Sequence, residues 1–373
     1  MKYTFAVVDA EVSLSKMEEE KEIGVALPSA SVIIVNSNGL PHLQRCLTAI
    51  TQQNYDKCEI LVIDNASTDG SVKYIEREFP SVRIVRNQSN LGYAGANNIG
   101  FAEVHSEYIA VLNPDTEVHP DWLRELVLAL HADRAAGLAT PQILMMDQPG
   151  VVNTCGNDIT LTGFTFCRGL DSSVGTYNQL EVVSAVSGAA FVIRQAVLEE
   201  IGGFDEAFFM YFEETDLSLR AALAGYTCLY VPTAIVLHKY DFRFSARKCY
   251  LQERNRYFSL FKTFRAPTLF ALLPEFALAE AISWSYAAMK GREHLHSKLQ
   301  SYMWLLLHWR EIRTAHCQVQ TLRRVGDRAI LRRFSNRLSF TRTVNSRLAR
   351  RLETTVNPIL LVLGLISRAV VRW

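Results

Sequence analysis

No Cys-x-x-Cys pair occurs in these 373 residues, and the seven cysteines (46, 58, 155, 167, 228, 249, 317) are odd in number and scattered. A zinc cluster or a disulfide framework is therefore not expected, and buried free thiols fit the pattern better. Net charge is almost lacking too (+1), so composition gives no reason to expect a nucleic-acid partner. The N-terminal stretch has "MEEEKE" and no apolar core behind a basic start, so no secretory signal is expected. No Gly-x-Gly-x-x-Gly follows the first strand-like run, which argues against a dinucleotide oxidoreductase. The "DNAST" loop has Ala66 where a dehalogenase-type phosphatase needs a second Asp. Repeats and low-complexity tracts are absent. Apolar material is plentiful: 49% of residues are hydrophobic against 21% charged, enough for one large core or two ordinary ones.

Residues 1–29 are weakly patterned and read as an N-terminal extension. From Ser31 the alternation is regular. "SVIIV" (31–35), "EILVI" (59–63), "VRIV" (82–85) and "YIAVL" (108–112) are short β-rich runs. Helical stripes lie between them: Leu40, Leu43, Leu47 and Ile50 behind Pro41, then Val72, Ile75 and Phe79 behind Asp69 as N-cap. Such alternation predicts an α/β fold with a mainly parallel sheet covered by helices. Ligands of such sheets collect beyond the carboxyl ends of the strands. The polar clusters at 36–38, 64–69 and 113–115 all fall there. The pattern loosens over 141–182. A strand, a short helix and a Gly-Gly turn return over 185–209, then a helix closed by Gly225 and the strands "TCLYVP" and "AIVLHKY".

The domain from 30 to 262 is expected to give way at 263–373 to a helical, basic and apolar region. "PTLFALLPEFALAEAISWSYAAM" (267–289) is apolar but holds Pro274, Glu275 and Glu280, which favours a buried or interfacial helix over a spanning one. Residues 290–351 are rich in Arg, and "PILLVLGLISRAVVRW" (358–373) is apolar again. Basic stretches flanked by apolar ones suit an anionic membrane surface. A helical bundle with a solvated basic face is the alternative.

Four polar groups carry candidate chemistry. Asp64 can accept a hydrogen bond from a base N–H while Asn36 or Asn38 contacts base or ribose; alternatively Asp64 forms a turn and caps Ser67. Asn113-Pro114-Asp115 ends a strand, and a hard divalent cation on a diphosphate needs only one or two protein oxygens; a plain strand-ending turn reads equally well. Glu213, Glu214 and Asp216 sit together at a helix start, where acids also suit the helix dipole. A carboxylate there can act as general base toward an acceptor hydroxyl. His238 can be a cation ligand or an ordinary polar residue.

Taken in order over 31–262, "VNSNG", "DNASTDGS", "NLGYAGANNIG", "LNPDTEV", "VSGAAFVIRQAVLEEIGGFDEAFFMYFEETDLSLRAALAGY" and "YVPTAIVLHK" resemble the family 2 glycosyltransferases, the inverting GT-A group, and its rhamnosyltransferase-like bacterial members. That resemblance implies a Rossmann-like GT-A domain and a nucleotide pocket at Asn36, Asn38, Asp64 and Asn65, with the "NLGYAGANN" loop (Asn90, Gly92, Asn97) closing on the donor. It implies Mg²⁺ or Mn²⁺ carried by Asp115 and, in some relatives, His238. The catalytic base falls on Glu214; Asn113, Glu213 and Asp216 lie toward donor or acceptor sugar. Two positions depart from the family pattern. Asn113-Pro114-Asp115 replaces the usual Asp-x-Asp and leaves one carboxylate for metal, and the base, commonly Asp, is Glu214. The implied activity is transfer of a sugar, first rhamnose from dTDP-rhamnose, to a saccharide or lipid-linked saccharide in cell-surface polysaccharide synthesis. The expected place is the cytoplasmic side of the membrane, bound peripherally. A non-catalytic sugar-nucleotide-binding scaffold subunit is the rival reading.

Overall fold

The computed structural model describes residues 27–240, 244–340 and 346–373. Most of the expected N-terminal extension therefore lies outside the described residues. Packing divides the chain into two compact units. One takes the residues up to Asn157 with Cys167–Phe209 and Thr227–Tyr240; the other takes Asp158–Phe166, Met210–Tyr226 and Asp241–Trp373.

The first unit alternates as its sequence predicts: β1 (Ala30–Asn36), α1 (Leu40–Ile50), β2 (Cys58–Asp64), α2 (Ser71–Glu78), β3 (Arg83–Arg86), α3 (Gly92–Glu103), β4 (Tyr108–Leu112), β5 (Thr116–Val118), α4 (Trp122–Ala132), β6 (Ala136–Met145) and β7 (Gln148–Thr154). Two short strands, β8 (Asn157–Ile159) and β9 (Thr165–Cys167), pair apart from the main sheet. Then follow β10 (Glu181–Val183), β11 (Ala190–Arg194), α5 (Gln195–Ile201) and, beyond α6 (Glu213–Leu223) of the second unit, β12 (Thr227–His238). The ten-stranded sheet runs β10-β12-β6-β11-β4-β1-β2-β3, with β5 on β12 and β7 on β6. β1 pairs parallel with β2 and β4, β2 with β3, and β12 with β6; β11 is antiparallel to both neighbours.

All seven residues of β1 are buried, as expected of a strand covered on both faces. Val32 and Ile34 join a core with Leu43 and Leu47 of α1 and Trp122 and Leu126 of α4. On the other face α3 approaches so closely that a Cβ at Gly100 would lie 2.6 Å from Ile33. Its small residues permit that approach, and most of the expected donor-closing loop is helix from Gly92 onward. Asp69 does not cap α2 either. Gly70 occupies that position in left-handed backbone (φ 84), while Asp69 accepts from Ser71 N at 3.0 Å and Leu40 N at 2.9 Å and so ties two helix starts together. The two strands expected before His238 are one, β12, with a register shift between Val231 and Ile235.

In the second unit α6 precedes α7 (Ala246–Thr263), α8 (Ala266–Ala271), α9 (Leu273–Lys290), α10 (Arg292–Leu307), α11 (Trp309–Thr321), α12 (Asp327–Leu331) and α13 (Ser346–Val370). Helix α7 packs against α10 and α11, so the helical unit begins before residue 262 and not after it. Between α7, α9 and α10 lies a largely buried ionic group of two acids and two bases. Arg256 meets Glu253 at 2.7 Å and Glu280 at 2.6 Å, and Lys298 meets both acids at 3.1 Å. Mutual neutralisation lets these charges leave water.

One helix among the described residues, α13, is long and apolar enough to cross a membrane by length and composition. Its inner side is fixed within its own unit. Ser367 Oγ donates to Glu275 Oε1 at 2.6 Å, Arg368 Nη2 to Phe334 O at 2.6 Å, and the Trp373 indole to Thr268 Oγ1 at 2.8 Å. Leu361, Val362, Leu365, Ile366 and Val370 remain exposed.

Candidate functional site

The site in the first unit starts from strand register. Asn36, the last residue of β1, stands opposite Asp64, the last of β2, and β4 runs parallel beside β1 and ends at Leu112. The two strand tips are laced together. Asn36 Nδ2 donates to Asp64 Oδ1 (3.1 Å), Ser67 Oγ (3.0 Å) and Ser71 Oγ (2.8 Å), and its Oδ1 accepts from Gly39 N (3.1 Å). Asp64 Oδ2 accepts from Ser67 N at 3.1 Å, the turn-forming arrangement its sequence context allowed. Asn38, at φ 54, accepts from Thr68 N through Oδ1 at 2.8 Å.

Asn65 fastens the segment before α3. Its Oδ1 accepts from Leu91 N (3.0 Å), and its Nδ2 donates to Asn90 Oδ1 (3.0 Å) and Gly92 O (3.1 Å). Gly92 has φ +75, and a Cβ there would lie 2.4 Å from Phe209 O, so only glycine fits. Asn97 is fully buried in α3, with Nδ2 on Tyr93 O and no hydrogen-bond partner at Oδ1. Asn36, Asn38, Asp64, Asn65, Asn90 and Gly92 thus gather at one sheet edge, with many of their polar atoms engaged with one another, whereas Asn97 lies inside α3 and is not brought to that edge.

Beyond β4, Asn113 Oδ1 and Asp115 Oδ1 are buried and accept no hydrogen bond. The end of β12 brings His238 alongside: Lys239 N donates to Asp115 O at 3.0 Å, and His238 Nε2 lies 3.5 Å from Asp115 Oδ1. On the far side of the ring, His238 Nδ1 is 2.8 Å from Asn153 Oδ1. An amide oxygen only accepts, so Nδ1 carries a proton, and the other ring nitrogen, Nε2, faces Asp115 Oδ1. A proton or a cation between Nε2 and Oδ1 would bridge the two atoms. Burial raises the Asp115 carboxyl, and His238 outweighs that, holding it below the ordinary carboxylate range. No group of three or more His, Cys, Asp and Glu side chains placed to hold a metal ion occurs among the described residues. Asp115 and His238 nonetheless fit a hard cation whose remaining positions are filled by phosphate oxygens and water.

The acidic helix start belongs to the second unit. The chain enters α6 through Tyr211 (φ 68) and Phe212 (φ 74), two non-glycine residues in left-handed backbone. Such conformations cost about 1–3 kcal/mol each and persist where the surroundings enforce them. Glu213 is 5% exposed and its Oε2 has no hydrogen-bond partner. Burial, and then the neighbouring charge of Glu214, push its carboxyl well above the ordinary range. Asp216 is the opposite case. It is fully buried, but Lys262 (3.0 Å) and Arg220 (2.8 Å) outweigh burial and hold it ionised, below the usual range.

Sequence reasoning missed Asn153, Arg220, Lys262 and Asn255. Asn255 Nδ2 donates to Met210 O at 3.0 Å and Tyr211 O at 2.7 Å. The available signal was in α7, where "LQERNRYFSLFK" carries more polar residues than a surface stripe explains; Glu253, Arg254, Asn255, Arg256 and Lys262 are all buried.

Comparison with known proteins bears on this architecture. Residues 31–202 match the family described as Glycosyl transferase family 2. Over 231 residues the chain is 29% identical to an N-acetylglucosaminyl-diphospho-decaprenol L-rhamnosyltransferase of Mycobacterium tuberculosis, covering 56% of this chain and 75% of that one. Among solved structures, the mannosyltransferase PcManGT from Pyrobaculum calidifontis, in complex with GDP-Man and Mn²⁺, superposes with a TM-score of 0.51 at 19% identity, covering 86% of this chain and 95% of that one. GalNAc-T7 with UDP, GalNAc and Mn²⁺ gives a TM-score of 0.52 at 20% identity over 63% of this chain, which spans only 48% of that protein. The chain is a glycosyltransferase carrying a family 2 domain on the GT-A fold.

Proposed function

We propose that the protein moves a sugar from a nucleoside diphosphate donor, dTDP-rhamnose first, to a saccharide or lipid-linked saccharide of the cell envelope, with inversion at the anomeric carbon. The observation that carries this reading is the one sheet edge with Asn36 and Asp64 at strand ends and Asn113 and Asp115 just beyond β4, where buried oxygens of Asn113 and Asp115 accept no hydrogen bond. The rhamnosyltransferase relative supports the choice of sugar, and the UDP and GDP-Man complexes of the structural neighbours support a nucleotide donor.

Asp64, Asn65 and Asn38 line the nucleotide end, and Asn113 lies toward the donor sugar. Asp115 and His238 would hold Mg²⁺ or Mn²⁺, which when bound neutralises charge on the departing diphosphate. Glu214 takes the proton of the acceptor hydroxyl as that oxygen bonds to the anomeric carbon and the diphosphate leaves with the bonding pair. A general base of this kind contributes about 10²–10⁴-fold. Glu213, held protonated beside it, stays a neutral hydrogen-bond donor toward a sugar hydroxyl.

The acceptor is delivered at an anionic membrane face, on the cytoplasmic side, with α13 lying along the surface. Its exposed apolar residues would enter the lipid, exposed Arg347, Arg350, Arg351 and Arg372 would meet headgroups, and its inner side stays bound to its own unit. The test is a panel of nucleotide sugars scored by thermal stabilisation with and without Mn²⁺, followed by transfer of radiolabelled sugar to a membrane-lipid fraction. Mn²⁺-dependent stabilisation by one donor, with label moving to lipid, is the expected result. Stabilisation without transfer would favour a non-catalytic scaffold, and no stabilisation by any donor would contradict both.

A further inference from the structure

The acidic start of α6 is gripped on both sides by one helix of its own unit. Before the two glutamates, Asn255 of α7 donates to Met210 O at 3.0 Å and Tyr211 O at 2.7 Å. After them, Lys262 of α7 meets Asp216 at 3.0 Å, and Arg220 completes that acid's pairing at 2.8 Å. Asn255 and Lys262 are seven residues apart, so they lie two turns apart on one face of α7. The grip on the entry side falls on the backbone that most needs it, since Tyr211 and Phe212 both have positive φ without being glycine. Asn255 is fully buried. Arg254 Nε donates to its Oδ1 at 2.8 Å, which fixes the amide so that its NH₂ faces the two carbonyls. A flipped amide would set an oxygen against them.

We propose that Asn255 is a positioning residue: by holding Met210 and Tyr211 it sets where the first turn of α6 begins, and with it the direction in which Glu214 presents its carboxylate. The inference rests on the reading of Glu214 as the base, and deepens it. Asn255 is fully buried and acts through the backbone of 210 and 211. A displacement of about 1 Å in a catalytic group can cost about 10²-fold in rate, so loss of the clamp reads out in turnover more than in donor affinity.

The experiment compares wild type, Asn255→Ala, Glu214→Gln and the double variant. Two readouts are taken: hydrogen exchange over residues 210–216, which needs no substrate, and transfer from radiolabelled dTDP-rhamnose to a membrane-lipid extract, expressed per folded molecule. Asn255→Ala is expected to raise exchange at 210–216 at least ~10-fold while α9 and α10 exchange as before. It should lower kcat by about 10–10²-fold with donor KM within about threefold. The double variant should be no slower than Glu214→Gln, because both changes disable one device. Unchanged exchange at 210–216 would overturn the proposal, as would raised exchange with unchanged kcat, or multiplicative loss in the double variant. Should Asn255→Ala not fold, Asn255→Ser, which keeps one donor, is expected to give the same pattern with smaller amplitude, and no local change in it overturns the proposal equally. If Glu214→Gln alone turns over like wild type, or no label moves with any variant, the reading of the base or of the donor fails; the exchange result still decides the clamp.

Discussion

Replacing Glu213 by glutamine should make the protein progressively more stable than wild type as pH rises. The side chain is 5% exposed, its Oε2 has no hydrogen-bond partner, and burial followed by the charge of Glu214 raises its folded pKa well above the ordinary value. In the unfolded chain a glutamate loses its proton near pH ~4.3. Between that pH and the folded pKa the native state binds one proton more than the unfolded state. Stability then falls with rising pH, by about 1.4 kcal/mol per unit for one proton. Glutamine preserves the volume and the donor capacity and has no proton to lose. Urea unfolding of both proteins between about pH 5 and 8 measures the difference directly, because every other titrating group is shared. The gap should widen in favour of Glu213→Gln at up to about 1.4 kcal/mol per unit and level off above the folded pKa. Parallel stability curves would show that Glu213 is ionised in the fold, and the assignment of a neutral donor beside the base would fail.

Three further outcomes follow from the same contacts. Lys262→Met leaves buried Asp216 with Arg220 alone, and breaking a buried pair from one side costs about 3–5 kcal/mol, so the urea midpoint should drop sharply; a loss under about 0.5 kcal/mol would show the pair to be dispensable. Gly92→Ala forces a Cβ against Phe209 O at 2.4 Å in left-handed backbone, and should destabilise by about 1–3 kcal/mol in the same assay, where a neutral result would contradict the close approach. Leu365→Asp with Ile366→Asp should release the protein from phosphatidylglycerol vesicles in co-sedimentation while leaving its melting temperature nearly unchanged, since both residues are exposed; undiminished sedimentation would remove α13 from the membrane contact.

The parallel half of the sheet was legible because local pattern decides it. β1 to β4 are apolar runs ended by polar clusters, and the Leu43–Leu47 stripe of α1 packs where its period places it. Strand β6 was not legible, since Pro141 has no N–H and central strands rarely hold proline. Both ladders are interrupted around it: on the β12 side Pro141 pairs with Val231 at the register shift before Ile235, and on the other side β11 reaches only Leu138 and Ala139 while β7 joins from Ile143. The "NLGYAGANN" stretch was expected as a loop from the resemblance, and its glycines lower helix propensity; tertiary contact with β1 requires those small residues and overrides the propensity. At the site, carboxylates at strand ends and helix starts were readable from position alone. Asn255 and Lys262 were not, because their partners at 210, 211 and 216 lie about 45 residues away in sequence and no local period connects them.

The central proposal, that the protein transfers sugar with Glu214 as base, is tested most directly by turnover of Glu214→Gln with the donor that best stabilises the wild type. Turnover lower by about 10²–10⁴-fold, with donor affinity nearly intact, is the predicted result. A variant that transfers sugar as fast as wild type would contradict it.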